Sequence, residues 1–128
     1  MSDLDPRLIE LAHQMFDLAR NGAAEQLAAH IDAGVPVDLT DPDGNTLLML
    51  SAYHGHADTV AMLLDRGATV DALNDRGQSP LAGAVFKAEA EVAAALLRAG
   101  ADENAGTPSA RETAHMFGQE AMLDGPDG

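Results

Sequence analysis

The chain has 128 residues, 46% of them hydrophobic, with no cysteine, no tryptophan, one tyrosine and three phenylalanines, and a formal net charge of -14. That length suits one domain over residues 1–128, and the absence of cysteine excludes disulfides, cysteine-based metal sites and thiol catalysis. The negative charge repels a phosphate backbone or an anionic bilayer, so neither nucleic acid nor membrane is an expected partner, whereas a basic protein is electrostatically easier. The N-terminus opens on acids without a basic leader, and no run approaches the ~18 apolar residues of a spanning helix, so a cytoplasmic protein is expected. Asp5-Pro6 starts a first helix, with Asp as N-cap and Pro at N1, running to about residue 20 with Leu8, Leu11, Met15, Leu18 and Ala19 at helical spacing. Thr46 and Ser79 cap two short helices over 46–53 and 79–86. Second helices follow over 57–65 and 90–98, after a break that carries Gly55 in one copy. Val60, Leu63 and Leu64 mark the apolar face of the first of these. Gly67 and Gly100 stand just past the helix ends, where a left-handed residue is wanted. The Asp/Asn/Gly-rich segments 38–45 and 71–78 are turns, in which Asp38, Asp41 and Asp71 are expected to satisfy nearby backbone groups. Thr107-Pro108 and a Ser109–Glu112 capping box begin a last helix over 108–117. Gly118 interrupts it, a stub helix covers 119–124, and a tail of four residues closes the chain.

Residues 41–73 and 74–106 align with a period of 33. Gly44 falls over Gly77, Thr46 over Ser79, Leu48 over Leu81, Leu63-Leu64 over Leu96-Leu97 and Gly67-Ala68 over Gly100-Ala101. One period earlier, Ala19, Gly22, Leu27 and Asp38 align with Ala52, Gly55, Val60 and Asp71, so the N-terminal third is a divergent copy. A two-helix unit of this size cannot bury its apolar face alone, but stacked units can.

The stretches DPDGNTLL at 41–48, GHADTV at 55–60, MLLDRGATVDA at 62–72, NDRGQSPL at 74–81 and ALLRAGAD at 95–102 resemble the ankyrin repeat, and the whole resembles a short bacterial ankyrin protein. The resemblance implies an all-α solenoid of about four helix-turn-helix repeats with short turn or β-hairpin fingers. The repeats fall at about 5–40, 41–73 and 74–106, followed by a partial C-terminal cap over 107–124 and the tail 125–128. Three positions depart from the family pattern. Leu47 replaces its proline, Met49 and Ala82 replace its histidine, and Ala88 replaces its inter-helix glycine.

The stretch Ala52-Tyr53-His54-Gly55-His56-Ala57-Asp58 has the look of a metal site, but ligands on a helix are spaced by three or four residues rather than two. No catalytic motif is present and no set of repeated columns supplies a nucleophile, base and oxyanion hole. Neither an enzyme nor a cofactor or metal protein is therefore expected. The resemblance implies instead an interaction module that binds a protein through a concave face of turn tips and first helices. Its variable positions map here to Arg20 and Asn21, to Pro42, Asp43, Asn45, Tyr53 and His54, and to Asp75, Arg76, Gln78, Phe86 and Lys87. Tyr53 and Phe86 stand one period apart, and aromatic residues dominate interface hot spots. The same resemblance makes His56 a scaffold residue that bonds locally in the inter-helix turn. Met116, Phe117, Met122 and Leu123 gather at the incomplete C-terminal layer, which fits either a monomer or a weak homodimer. The alternatives are an accessory protein that protects or tunes a neighbouring enzyme, and an effector acting on host proteins.

Overall fold

A computed structural model describes residues 6–124. The proposed cap Asp5 and the tail 125–128 lie outside the described residues. The helices are α1 (Pro6–Asn21), α2 (Ala24–Asp32), α3 (Leu47–Tyr53), α4 (Ala57–Asp65), α5 (Pro80–Phe86), α6 (Ala90–Arg98) and α7 (Ala110–Phe117), followed by a 3-10 turn over Glu120–Leu123. They form two rows. α1, α3, α5 and α7 pack side by side as an inner row, and α2, α4, α6 and the 3-10 turn stack behind them as an outer row. The architecture is thus an all-α solenoid of stacked helix pairs, and among the described residues its turns carry two isolated antiparallel bridges, Thr40–Thr46 and Gly106–Ser109. Among the described residues no helix is long and apolar enough to cross a membrane.

The inner helices α3, α5 and α7 each begin where a hydroxyl can accept a free N–H of the first turn. Thr46 Oγ1 accepts from the Met49 amide at 3.0 Å and Ser79 Oγ from the Ala82 amide at 3.0 Å. In α7 the Ser109 hydroxyl accepts from the Glu112 amide at 3.1 Å while Glu112 accepts from the Ser109 amide at 2.9 Å, closing the capping box. Because Ser109 is the cap, α7 starts at Ala110 rather than 108, and Pro108 stays outside in a cis peptide. Gly67 and Gly100 hold φ of 87° and 91° at the ends of the outer helices.

One core runs through the stack. Met15, Leu27, Leu47, Leu48, Leu63, Leu81 and Leu96 are fully buried in it, joined by Val60, Val85 and Val92. Burying a leucine this way contributes roughly 1.5–3 kcal/mol. At the C-terminal layer Met122 and Leu123 pack against the core, whereas Met116 and Phe117 stay 61% and 53% exposed.

Polar side chains tie the layers together over distances that local reasoning misses. Asp38 does not satisfy its own turn. Its carboxylate accepts from the Thr69 amide at 2.9 Å and the Thr69 hydroxyl at 2.6 Å, in the next repeat. Asp71 repeats the contact one layer on, accepting from the Asp102 amide at 3.0 Å. His56 likewise reaches back rather than bonding locally, its Nε2 lying 2.7 Å from the Arg20 carbonyl at the end of α1. On the outer row Arg66 binds Asp32 through two nitrogens at 2.9 and 3.1 Å, and that hydrogen bonding holds the Asp32 carboxyl below its usual range. Of Asp38, Asp41 and Asp71, Asp41 behaves as a local turn residue, accepting from the Asp43 and Asn45 amides at 2.9 Å each.

Candidate functional site

The caps Thr46, Ser79 and Ser109 set the site's geometry. The third and fourth residues after each cap, and the seventh and eighth, share one helical face. In α3 these are Met49, Leu50, Tyr53 and its neighbour His54; in α5, Ala82, Gly83, Phe86 and its neighbour Lys87. In α7 they are Glu112, Thr113, Met116 and Phe117. This face looks into a groove whose other wall is made by the turns.

The groove has two halves that meet at Tyr53 and Gln78. The polar half, about 310 Å³, runs between Arg20, the turn residues Asp41, Asp43, Asn45, Asn74 and Arg76, and a floor of Met49, Leu50, Tyr53 and His54. The apolar half, about 230 Å³, lies between α5 and α7 and is lined by Ala82, Gly83, Phe86, Pro108, Thr113, Met116 and Phe117. The Phe86 and Phe117 rings meet edge to face with centroids 5.5 Å apart.

Tyr53 and Phe86 occupy one column but differ in setting. Tyr53 is half-buried and leans onto Gly83, where an added Cβ would lie 3.6 Å from its ring. Thr113 takes the place of that glycine in the next helix, and Phe86 stands 54% exposed. The Lys87 ammonium lies 5.0 Å from the centre of the Tyr53 ring, a cation–π contact. The His54 ring meets Tyr53 edge-on at 5.7 Å. Partial desolvation, and then the charges of His56, Arg20 and Lys87, hold His54 below its ordinary pKa of 6.5.

The mapped positions therefore divide. Arg20, Asp43, Asn45, Tyr53, His54, Arg76 and Gln78 line the groove's polar half, and Phe86 the apolar half, with Lys87 poised over Tyr53. Pro42 and Asp75 are exposed on the turn tips, and Asn21 is exposed at the end of α1; none of the three lines either half. Asn45 and Gln78 are committed to holding the fingers. Asn74 Nδ2 donates to Asn45 Oδ1 at 2.9 Å and to Gln78 Oε1 at 2.8 Å, while Asn74 Oδ1 accepts from the Arg76 and Gln78 amides at 3.0 Å each. Met116 and Phe117 were not among the mapped positions because the last layer breaks the 33-residue register. Ser79 follows Thr46 by 33 residues, but Ser109 follows Ser79 by only 30. Counting from the caps instead places Met116 in the Tyr53 and Phe86 column and Phe117 beside Lys87.

Among the described residues no three His, Asp or Glu side chains are grouped to hold a metal. His54 and His56 are engaged separately, one on Tyr53 and the other on the Arg20 carbonyl. Stacked helix pairs that offer one continuous groove of turn tips and inner-helix side chains define a repeat scaffold with an open groove along one face. A family model described as ankyrin repeats, in three copies, matches residues 15–107, and the chain belongs to that family. A Pseudomonas aeruginosa protein described as an ankyrin repeat protein is 44% identical over 52 residues, 41% of this chain. The matched segment spans 30% of that relative's own length. Ankyrin repeats are generally protein–protein interaction modules, and the family is typically non-enzymatic.

Proposed function

We infer that this protein is a non-enzymatic interaction module of the cytoplasm, one domain that holds a protein partner in the groove between its turns and its inner helices. The observation that carries this reading is the groove's composition. Phe86, Met116 and Phe117 stand 54%, 61% and 53% exposed, side by side along one wall. Three large apolar side chains gathered in water on one wall form the kind of cluster that marks a contact surface. The mechanism is recognition by a rigid surface. The side chains are already placed by capped helices and by the Asn74 network, so binding orders little new structure.

The test is capture from the native cell by the wild-type protein and by a Tyr53→Ala, Phe86→Ala double variant. The wild type is expected to retain a partner that the variant loses. Phe86→Ala is expected to change the melting temperature little, since it loses mainly a half-exposed edge contact with Phe117, and Tyr53→Ala to lower it modestly through the loss of packing on Gly83. Equal capture by both proteins overturns the assignment of the groove.

A further inference from the structure

The protein carries 21 acidic residues, yet α3 (LLMLSAY) and α5 (PLAGAVF), which floor the groove, hold none of them. Three of the seven Lys and Arg residues, Arg20, Arg76 and Lys87, border that floor instead. Elsewhere Arg66 is bound to Asp32 and Arg111 to Glu103. Among the described residues Arg76 makes no side-chain ion pair, and the Lys87 ammonium lies over the Tyr53 ring without a carboxylate partner. Arg20 pairs with Asp17 at 3.0 Å on the exposed rim. Two carboxylates, Asp41 and Asp43, line the polar half, but Asp41 already accepts from two backbone amides and from Asn45 Nδ2 at 3.2 Å. The polar half thus balances Arg20 and Arg76 against Asp41 and Asp43, and Lys87 adds one cation beside it, in a molecule whose net charge is -14.

We propose that the groove takes an extended partner segment in which a carboxylate side chain neighbours a large apolar one, the carboxylate set against Arg76 and Lys87 and the apolar side chain seated among Phe86, Met116 and Phe117. The inference rests on the groove being the partner-binding surface. Charge selects among the occupants. A basic segment would bring its cations against the unpaired Arg76 and Lys87, and a second copy of this chain would bring another -14 charges to the contact. A single carboxylate close to two unpaired cations gains locally, while the acidic exterior turns away polyanions. This replaces the expectation of a basic partner, which followed from net charge and took no account of where the charges sit.

The test pans the full-length protein against a displayed library of random short peptides, then measures the enriched peptides by fluorescence anisotropy. The variants are Arg76→Glu with Lys87→Glu, and Phe86→Ala with Met116→Ala, each first shown to melt like wild type. If the charge reversal does not fold, Arg76→Gln with Lys87→Gln takes its place. The expected result is enrichment of Asp or Glu beside Leu, Phe or Trp, with affinity reduced about tenfold or more by either pair of substitutions. The charge effect is expected to shrink at high salt. Enriched peptides rich in Lys and Arg that still lose affinity to the Phe86→Ala, Met116→Ala variant overturn the acidic-segment proposal and leave the groove in place. Peptides that bind both variants like wild type overturn the groove itself. No enrichment overturns the proposal, leaving the groove to the native-cell capture.

Discussion

Replacing Ala88 by glycine is expected to stabilise the protein. Gly22, Gly55 and Ala88 form one column between the two helices of successive repeats, with φ of 72°, 78° and 58°. All three backbones are left-handed, and only Ala88 has a Cβ to suffer for it. In that region an L-residue costs roughly 1–2 kcal/mol. Glycine would relieve this, while the greater freedom of the unfolded chain takes back about 0.4–1 kcal/mol. Ala88 is exposed, so its methyl contributes no core packing. The net gain is about 0.5–1 kcal/mol. With an unfolding entropy of roughly 2.1 cal/mol/K per residue, this raises Tm by about 2–4 °C. Calorimetry and urea titration with an unchanged m-value would measure it. The reverse change, Gly55→Ala, should lower Tm, since it imposes the same strain and drives a methyl group into the Glu89 carboxylate. An Ala88→Gly protein that melts at or below wild type would refute the reasoning.

Leu63→Ala and Leu96→Ala each remove a fully buried side chain and are expected to cost roughly 2–5 kcal/mol in urea unfolding, and near-wild-type midpoints would place the core elsewhere. His56→Ala should cost about 1–2 kcal/mol and speed amide exchange at the α1–α2 junction, because it strands the Arg20 carbonyl; unchanged exchange there would show that the contact does not join the layers. An NMR titration should find the His54 midpoint below 6.5. Because the folded value lies under the unfolded one, the stability linked to His54 is complete above pH 6.5 and is lost as pH falls through the lower, folded value. A midpoint at or above 6.5 contradicts that placement of the ring.

The helices were legible because their ends are written locally. Thr46, Ser79 and Ser109 cap within three residues, and the glycines past α4 and α6 close those helices within a turn. The fastenings between layers were not legible. Asp38 bonds 31 residues ahead and His56 36 residues back, so each looked like a local turn residue until the stack brought its partner close. The groove was legible by half. A strict period found Tyr53 and Phe86 but could not tell that one leans on a glycine and the other meets Phe117 edge-on with half its surface in water. It also missed Met116 and Phe117, because the last turn is three residues shorter than the period. Net charge could not locate the groove's own balance, since it sums over the molecule and the groove samples only Arg20, Arg76, Lys87 and their few acidic neighbours.

The most direct test of the central claim places a photo-cross-linking amino acid at position 86 in one protein and at position 61 in another, both expressed in the native cell. Phe86 lies on the groove wall, and Ala61 is exposed on α4 in the outer row. A discrete protein adduct formed from position 86 and absent from position 61 is the predicted result. An adduct from position 61 with none from position 86 would contradict the account.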